Sequence, residues 1–373
     1  MTKPSDSKQI EERLTALTRD LILIPSIPSR PEDRQRCYEF IRNHLDGLPD
    51  IEIREFEHKG APSLVAGAPD FKEPKILMCG HLDVITHPDI SFYRSHIKDG
   101  RIYGPGAGDM KGALAVLLEV FRAIHTRNPS ASLAIAVTSD EELGGEAGIG
   151  YLFGKENLRC KVAMIPDGGS IDEVTVEEKG ILHLQLTCEG QSGHAARPWL
   201  GVNPIEILME RLAALQKYFK GLERKEDRWY PTCAVTVIST ENQTTNRIPS
   251  NASAIVDIRF PPPFTVNKLL TEIPAILGEK ITVGKIIAAE PTHLAPDELY
   301  RKITEEVTGK KVKLIQDDGG SDARFIAAHG IPVKMSRPIV GNLHAVDEWV
   351  DIGSLVQLYH IYEQYIEQKL KEK

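Results

Sequence analysis

Cysteine is scarce in this 373-residue chain: Cys37, Cys79, Cys160, Cys188 and Cys233 stand singly, with no Cys-x-x-Cys pair. An odd, dispersed set excludes a disulfide framework and reads as reduced thiols used as small apolar residues, the habit of a cytoplasmic protein. Long apolar runs are missing as well. None approaches the ~18 residues of a membrane span, and the polar opening MTKPSDSKQIEERL lacks the apolar core of a signal peptide. There is no excess of positive charge: 45 Lys and Arg face 53 Asp and Glu, for a net charge of −8. Nothing therefore favours nucleic acid or an anionic membrane surface as a partner. No internal repeat or low-complexity tract is found. What remains is ordinary globular composition, 41% hydrophobic and 26% charged, in a chain long enough for two domains.

Residues 8–25 and RQRCYEFIRNHLDGL read as amphipathic helices, the second stopped at Gly47. IEIREFE alternates as a strand, while PSLVAGA, PKILMCGHLDV, LAIAV and KVAMIPDGG read as buried strands, with ALAVLLEVFRAIHTR as a helix among them. Strands alternating with helices predict an α/β domain with a doubly wound, mainly parallel sheet. From residue 180 the texture changes. GILHLQLTCEG, NPIEILMERLAALQKYF, TCAVTVIST, NASAIVDIRF, TVNKLLTEIPAILG and KITVGKII give strand–helix–strand–strand–helix–strand, the ferredoxin-like order of an α+β module. Pro274 is expected to break the second of these helices. DELYRKITEEVTG, SDARFIAAHG, the strand IPVKMS and a last long helix return to the first texture. The expected organisation is a domain of residues 1–179 and 291–373 interrupted by a domain of 180–290.

The strand LAIAV runs into Asp140, Glu141 and Glu142 side by side. Three adjacent carboxylates repel one another and resist losing water unless a positive group compensates. Alone, DEE is most simply a solvated turn. In open α/β sheets, however, ligands bind beyond the carboxyl ends of the strands, and other polar residues gather there. ILMCG ends in His81 and Asp83, whose i, i+2 spacing puts both on one side. Asp109 lies in the turn before the long helix, Asp167 follows VAMIP, and His344 sits in GNLHAVDEW. Each has a plain structural reading, as a hydrogen-bonded strand-end His, an N-cap or a turn residue. Their convergence on one sheet edge is better explained by a single site. Two histidines and several acids without cysteine form an oxygen/nitrogen donor set suited to Zn²⁺, and also to Co²⁺ or Mn²⁺.

His81-Leu82-Asp83, GAGDMKG, DEELGG, PDGG and GNLHAVDE resemble, in order and spacing, the M20 family of dinuclear metallo-aminoacylases and carboxypeptidases. Succinyl-diaminopimelate desuccinylases and acetylornithine deacetylases are members of similar length. The resemblance runs nearly end to end. It implies two divalent ions, zinc foremost, bridged by Asp109, with His81 and Asp167 completing one and Glu142 and His344 the other. It implies that Asp83 orients the His81 ring and that Glu141 is the general base. The segment GQSGHAARPWLGVNP matches a family stretch whose His, here His194, reaches the active site of a partner subunit. The resemblance thus implies a homodimer built through residues 180–290, acting as a lid and dimerisation domain.

The family's substrates are small molecules with a free carboxylate. The resemblance nominates Asn246, Arg259, Ser321, Arg324 and Asn342 to hold them. Arg259 has an alternative as an outward salt-bridge residue, and Arg324 as a brace at a helix start. Three positions depart from the family: Asp167 where Glu is common, Pro105 where Arg is usual, and Asp317 with Asp318 where small or hydroxylic residues prevail. The function expected is deacylation of a small N-acyl amino acid, with a carboxypeptidase or dipeptidase as the rival. A non-catalytic scaffold is disfavoured because every ligand position and Glu141 are filled by competent residues. A dinucleotide-binding enzyme is disfavoured because GPGAGD lacks the third glycine of the fingerprint.

Overall fold

A computed structural model describes residues 4–372, with side chains from residue 7. The chain forms two compact units. One runs to Val176 and resumes over His293–Ile315 and from Ser321; the other comprises Glu177–Thr292 and Gln316–Gly320.

In chain order the larger unit begins with helices α1 (Pro4–Ile22) and α2 (Pro31–Leu45). Strands β1 (Glu52–His58), β2 (Ala61–Gly67) and β3 (Ile76–His81) follow, then α3 (Gly112–Arg127), β4 (Leu133–Thr138) and β5 (Val162–Ile165). The smaller unit supplies β6 (Gly180–Glu189), α4 (Pro204–Lys220), β7 (Thr232–Ser239), β8 (Asn251–Phe260), α5 (Val266–Leu277) and β9 (Ile281–Ala289). The chain then returns for α6 (Glu298–Thr308), β10 (Val333–Met335) and α7 (Ile352–Lys371).

The central sheet of the larger unit has the order β1-β2-β4-β3-β5-β10. Its β4, β3, β5 and β10 are parallel, and β1 and β2 form an antiparallel edge. Period-2 alternation explains why its inner strands are apolar throughout. Ile76 and Met78 face a core completed by α1, α3 and α7, while Leu77 and Cys79 face a second core with Leu152, Phe153 and Ile326. Burial of α3 on nearly every side follows, and ALAVLLEVF carries the apolar residues that such a helix needs. Cys37, Cys79, Cys160 and Cys188 are buried, and all five cysteines are free thiols.

In the smaller unit β6, α4, β7, β8, α5 and β9 build an antiparallel sheet ordered β7-β8-β6-β9. Its core is filled by Leu182, Leu184 and Leu186 with Leu208, Leu212, Leu215, Leu269 and Ile273. Pro274 does not break α5, which continues to Leu277. The proline removes only one donor near the end of the helix, and buried Leu269, Ile273 and Leu277 hold both sides of it to the sheet. Residues 316–320 join this unit, although the sequence placed them with the first. The Asp317 carbonyl accepts the Lys179 N–H at 3.1 Å, and the Asp318 carboxylate meets the buried Lys179 ammonium at 2.7 Å. A hairpin went unread inside the turn-rich stretch before Asp109. His96–Lys98 and Arg101–Tyr103 pair across Asp99-Gly100, both with positive φ, the standard chemistry of a two-residue turn.

The enclosed α3 makes a specific demand on packing. Phe121 is fully buried and stacks on His125. Phe121→Ala should cost about 3–5 kcal/mol, read as a lowered denaturant midpoint with an unchanged slope.

Candidate metal centre

The parallel strands end at a common edge, and the polar residues expected there converge. His81 closes β3 and is 2% exposed. Its Nδ1 lies 3.0 Å from the Asp83 carbonyl oxygen, so Nδ1–H donates there and Nε2 is the nitrogen turned to the centre. That Nε2 is 3.2 Å from Asp109 Oδ1, while Asp109 Oδ2 is 3.3 Å from His344 Nε2. One carboxylate thus offers an oxygen to each imidazole. Glu142 Oε2 is 3.9 Å from His344 Nε2. Two groups of three have donor atoms close enough to share an ion: His81, Glu141 and Asp167, and Asp109, Glu142 and His344. The first group contains Glu141, which the family resemblance made a base rather than a ligand.

The three acids at the end of β4 have separate destinations. Asp140 turns inward, and its Oδ2 accepts the Ala147 N–H at 2.7 Å. Glu141 and Glu142 turn to the donor groups, their backbone N–H groups held by the Asp83 carboxylate at 3.3 and 3.0 Å. Asp83 therefore orients His81 through its carbonyl and the acidic turn through its carboxylate. The glycines that follow are required by this turn. Gly145 has φ +66°, and a Cβ there would lie 2.0 Å from Asp322 Oδ1.

Electrostatics shows what the cluster lacks. Loss of solvent, reinforced by neighbouring carboxylates, pushes Glu141 up to about 8, Glu142 to about 9 and Asp167 well above the usual range. Burial opposes the charged form of His81, but Asp109 and Asp83 outweigh it and hold the imidazole well above its ordinary value. The hydrogen bond that His344 donates to Asp109 raises its own imidazole above the ordinary value. Protons are retained because positive charge is short. Divalent cations would supply it, and oxygen and imidazole donors without thiolate suit zinc, cobalt or manganese.

Other nominated residues lie as follows. Ser321 caps the short helix Ala323–Ala327, its Oγ accepting the Ala323 N–H at 3.1 Å. Arg324 donates to the carbonyls of Ser321 and Gly144, bracing the turn after Glu142. Asn342 Nδ2 donates to Asp347 Oδ2 at 2.8 Å. In the smaller unit, exposed His194 pairs in register with Arg247, and the Ala195 N–H donates to the Asn246 carbonyl at 2.9 Å. His194 Nδ1 accepts the Ala196 N–H at 3.1 Å, which puts the proton of the neutral ring on Nε2. Arg259 donates Nε and Nη2 to Asp257, which also lies 3.2 Å from His183. Asp318 is engaged by Lys179, and Asp317 Oδ1 accepts the Gly319 N–H at 3.0 Å. Pro105 is buried in the turn before Asp109.

Three residues that support the centre were missed in the sequence. Glu348, inside GNLHAVDE, accepts backbone N–H groups from the Asp109 turn. Arg337 donates to the Gly169 carbonyl in PDGG and lowers Asp109 electrostatically. Lys111, fully buried, donates to the Leu21 and Ile24 carbonyls at the end of α1 at 2.8 and 2.6 Å. A buried lysine two residues after a ligand was the one available signal, since lysine is rarely interred without a partner.

Fold and donors together define a metal-dependent amide hydrolase. The comparisons say which: residues 77–368 match the model of peptidase family M20/M25/M40, and the chain belongs to that family. It is 30% identical to a succinyl-diaminopimelate desuccinylase of Rhodospirillum centenum, covering 94% of this chain and 96% of that one. It is 31% identical to the desuccinylase of Stenotrophomonas maltophilia, over 80% and 84% of the two chains. Among solved structures, human carnosine dipeptidase 1 superposes with a TM-score of 0.78 at 16% identity, covering 99% of this chain and 98% of that one. An M20 metallo-carboxypeptidase of Sulfolobus solfataricus does so with 0.77 at 18%, over 96% and 99%. These likenesses show the shared fold. No helix among the described residues is long and apolar enough to cross a membrane.

The Asp257 cluster yields a stability test. Burial alone would raise its carboxyl, but His183 and Arg259 outweigh this and hold it well below the usual range. A depressed folded pKa stabilises above the unfolded value of about 3.9 and the contribution is lost as pH falls. Asp257→Asn should cost about 1–3 kcal/mol at pH 7, and the gap to wild type should begin to narrow below about pH 4 and go on narrowing as pH falls further in urea unfolding.

Proposed function

We propose that the protein is a dinuclear zinc amidohydrolase that deacylates a small N-acyl amino acid of the N-succinyl-diaminopimelate or N-acetylornithine type. The observation that carries the reading is the pairing of two three-donor groups through the two oxygens of Asp109. The desuccinylase relatives at about 30% identity over most of the chain support the substrate class. His81 and Asp167 would hold one ion, Glu142 and His344 the other, and Asp109 both. Bound there, the ions would supply Lewis acidity toward the amide carbonyl and ease the ionisation of water.

Glu141 performs the proton transfers. It takes a proton from the water whose oxygen bonds to the carbonyl carbon, and returns it to the amine nitrogen as the C–N bond breaks. His194, with Nε2–H free to donate, stabilises the developing oxyanion from the partner subunit. Asn246 and the Nη1 of Arg259, which Asp257 does not occupy, receive the substrate carboxylate, with Ser321, Arg324 and Asn342 fixing the loops around it. Residues 180–290 act as the lid and dimerisation domain. Support comes from β7, an edge strand with exposed Val237 and Ile238, and from exposed Met209 on α4. A cytoplasmic location accords with the free cysteines.

The test is hydrolysis by the zinc-loaded protein of N-succinyl-diaminopimelate, N-acetylornithine, other N-acetyl amino acids and dipeptides, with a chelator control. Chelator-sensitive turnover of one acyl compound is expected; cleavage of dipeptides alone would make the protein a peptidase. Glu141→Gln should keep two ions per chain and lose at least about a hundredfold in kcat. Loss of an ion in that variant would make Glu141 a ligand. His194→Ala should lower kcat with metal content unchanged, and mixed dimers with Glu141→Gln subunits should recover part of the activity.

A further inference from the structure

The turn that carries Asp109 and the loop that carries His344 are far apart in sequence, and one carboxylate bonds the backbones of both. Glu348 is 1% exposed. Its Oε1 accepts the N–H of Gly108 at 2.6 Å and of Asp109 at 2.8 Å, and its Oε2 accepts the N–H of His344 at 3.3 Å. We infer that Glu348 is a positioning residue for the Asp109–Glu142–His344 group, its two carboxylate oxygens clamping together the backbones of two ligands. The inference rests on the metal-binding reading above.

Three further observations support the clamp. His344 has φ +64° and Asn342 φ +54°, left-handed conformations that side-chain-bearing residues hold only when the surroundings impose them. Glu348 bonds the amide of the strained His344 itself. Gly108 is required for the approach: a Cβ there would lie 2.9 Å from Leu343 Cδ2 and 3.0 Å from Val340 Cβ. Gly341 lets the Trp349 ring lie against the backbone, since a Cβ there would be 2.4 Å from Cζ2. The Asp83 carboxylate holds one acid of each group, Glu141 and Glu142, while His81 stands at a strand end. The clamp therefore bears hardest on the Asp109–Glu142–His344 group, two of whose three members it anchors, and reaches the other group only through the shared Asp109.

A glutamine cannot replace it. With one acceptor oxygen and one NH₂, it would face either the Gly108 and Asp109 N–H pair or the His344 N–H with a donor. Metal-stripped wild type and Glu348→Gln would be titrated with zinc against a competing chelator, with His344→Ala as the reference for loss of the second ion. The expected result is two ions in wild type, and in Glu348→Gln one ion at least tenfold weaker and the other weakened less, through the shared Asp109. The melting temperature of the metal-free variant should stay within a few degrees of wild type. Unchanged affinity for both ions, or equal weakening of both, would overturn the clamp. Should Glu348→Gln fail to fold, Glu348→Asp keeps the charge and shortens the reach; the same unequal loss is expected, and equal loss of both again overturns it. Failure of wild type itself to take two ions would remove the metal reading, an outcome separate from any behaviour of the variants.

Discussion

Negative charge concentrated at the carboxyl edge of a parallel sheet is the constraint around which this molecule is built. Asp83, Asp109, the Glu141-Glu142 pair and Asp167 come from four chain segments and arrive in the company of two imidazoles, the Arg337 guanidinium and the buried Lys111 ammonium. Left alone, such a cluster holds protons it would lose in water. The fold tolerates it because the carboxylates are divided between two tasks. Some present oxygens to a shared space, and others are spent on backbone N–H groups.

That second task recurs. Asp83 accepts the amides of Glu141 and Glu142, and Glu348 accepts those of Gly108, Asp109 and His344. In both cases an enclosed carboxylate fixes the backbone of residues in the two donor groups rather than their side chains. Backbone fixation leaves side chains free to adjust by small rotations while their anchors stay put. It also draws negative charge away from the centre into N–H dipoles.

The elements that position the site were legible because their sequences obey one period each. The strands leading to His81, Glu141 and Asp167 are continuous apolar runs with acids within two residues of their ends, and in a doubly wound sheet that order places the acids at one edge. The role of Glu348 was not legible. It depends on which backbone groups an irregular loop presents, and periodicity says nothing about loops. Arg324 reads from sequence as either a carboxylate receptor or a brace at a helix start, and its guanidinium lies on the Gly144 and Ser321 carbonyls. Pro274 misled for a related reason: a local rule about helices yielded to three leucine and isoleucine side chains packed on a sheet. The hairpin at Asp99-Gly100 was within reach, since its turn dipeptide is a recognised signal.

The family match begins at residue 77, well after α1. Even so, the buried Lys111 ammonium, two residues from Asp109, ends on the Leu21 and Ile24 carbonyls. The first helix is thus more than packing on the outside of the sheet. It supplies the counter-surface for a cationic strut under the Asp109 turn, so an amino-terminal arm outside the family match is mechanically continuous with the centre. Sequence drift in that arm is free on its exposed face and constrained where its last turn meets the lysine.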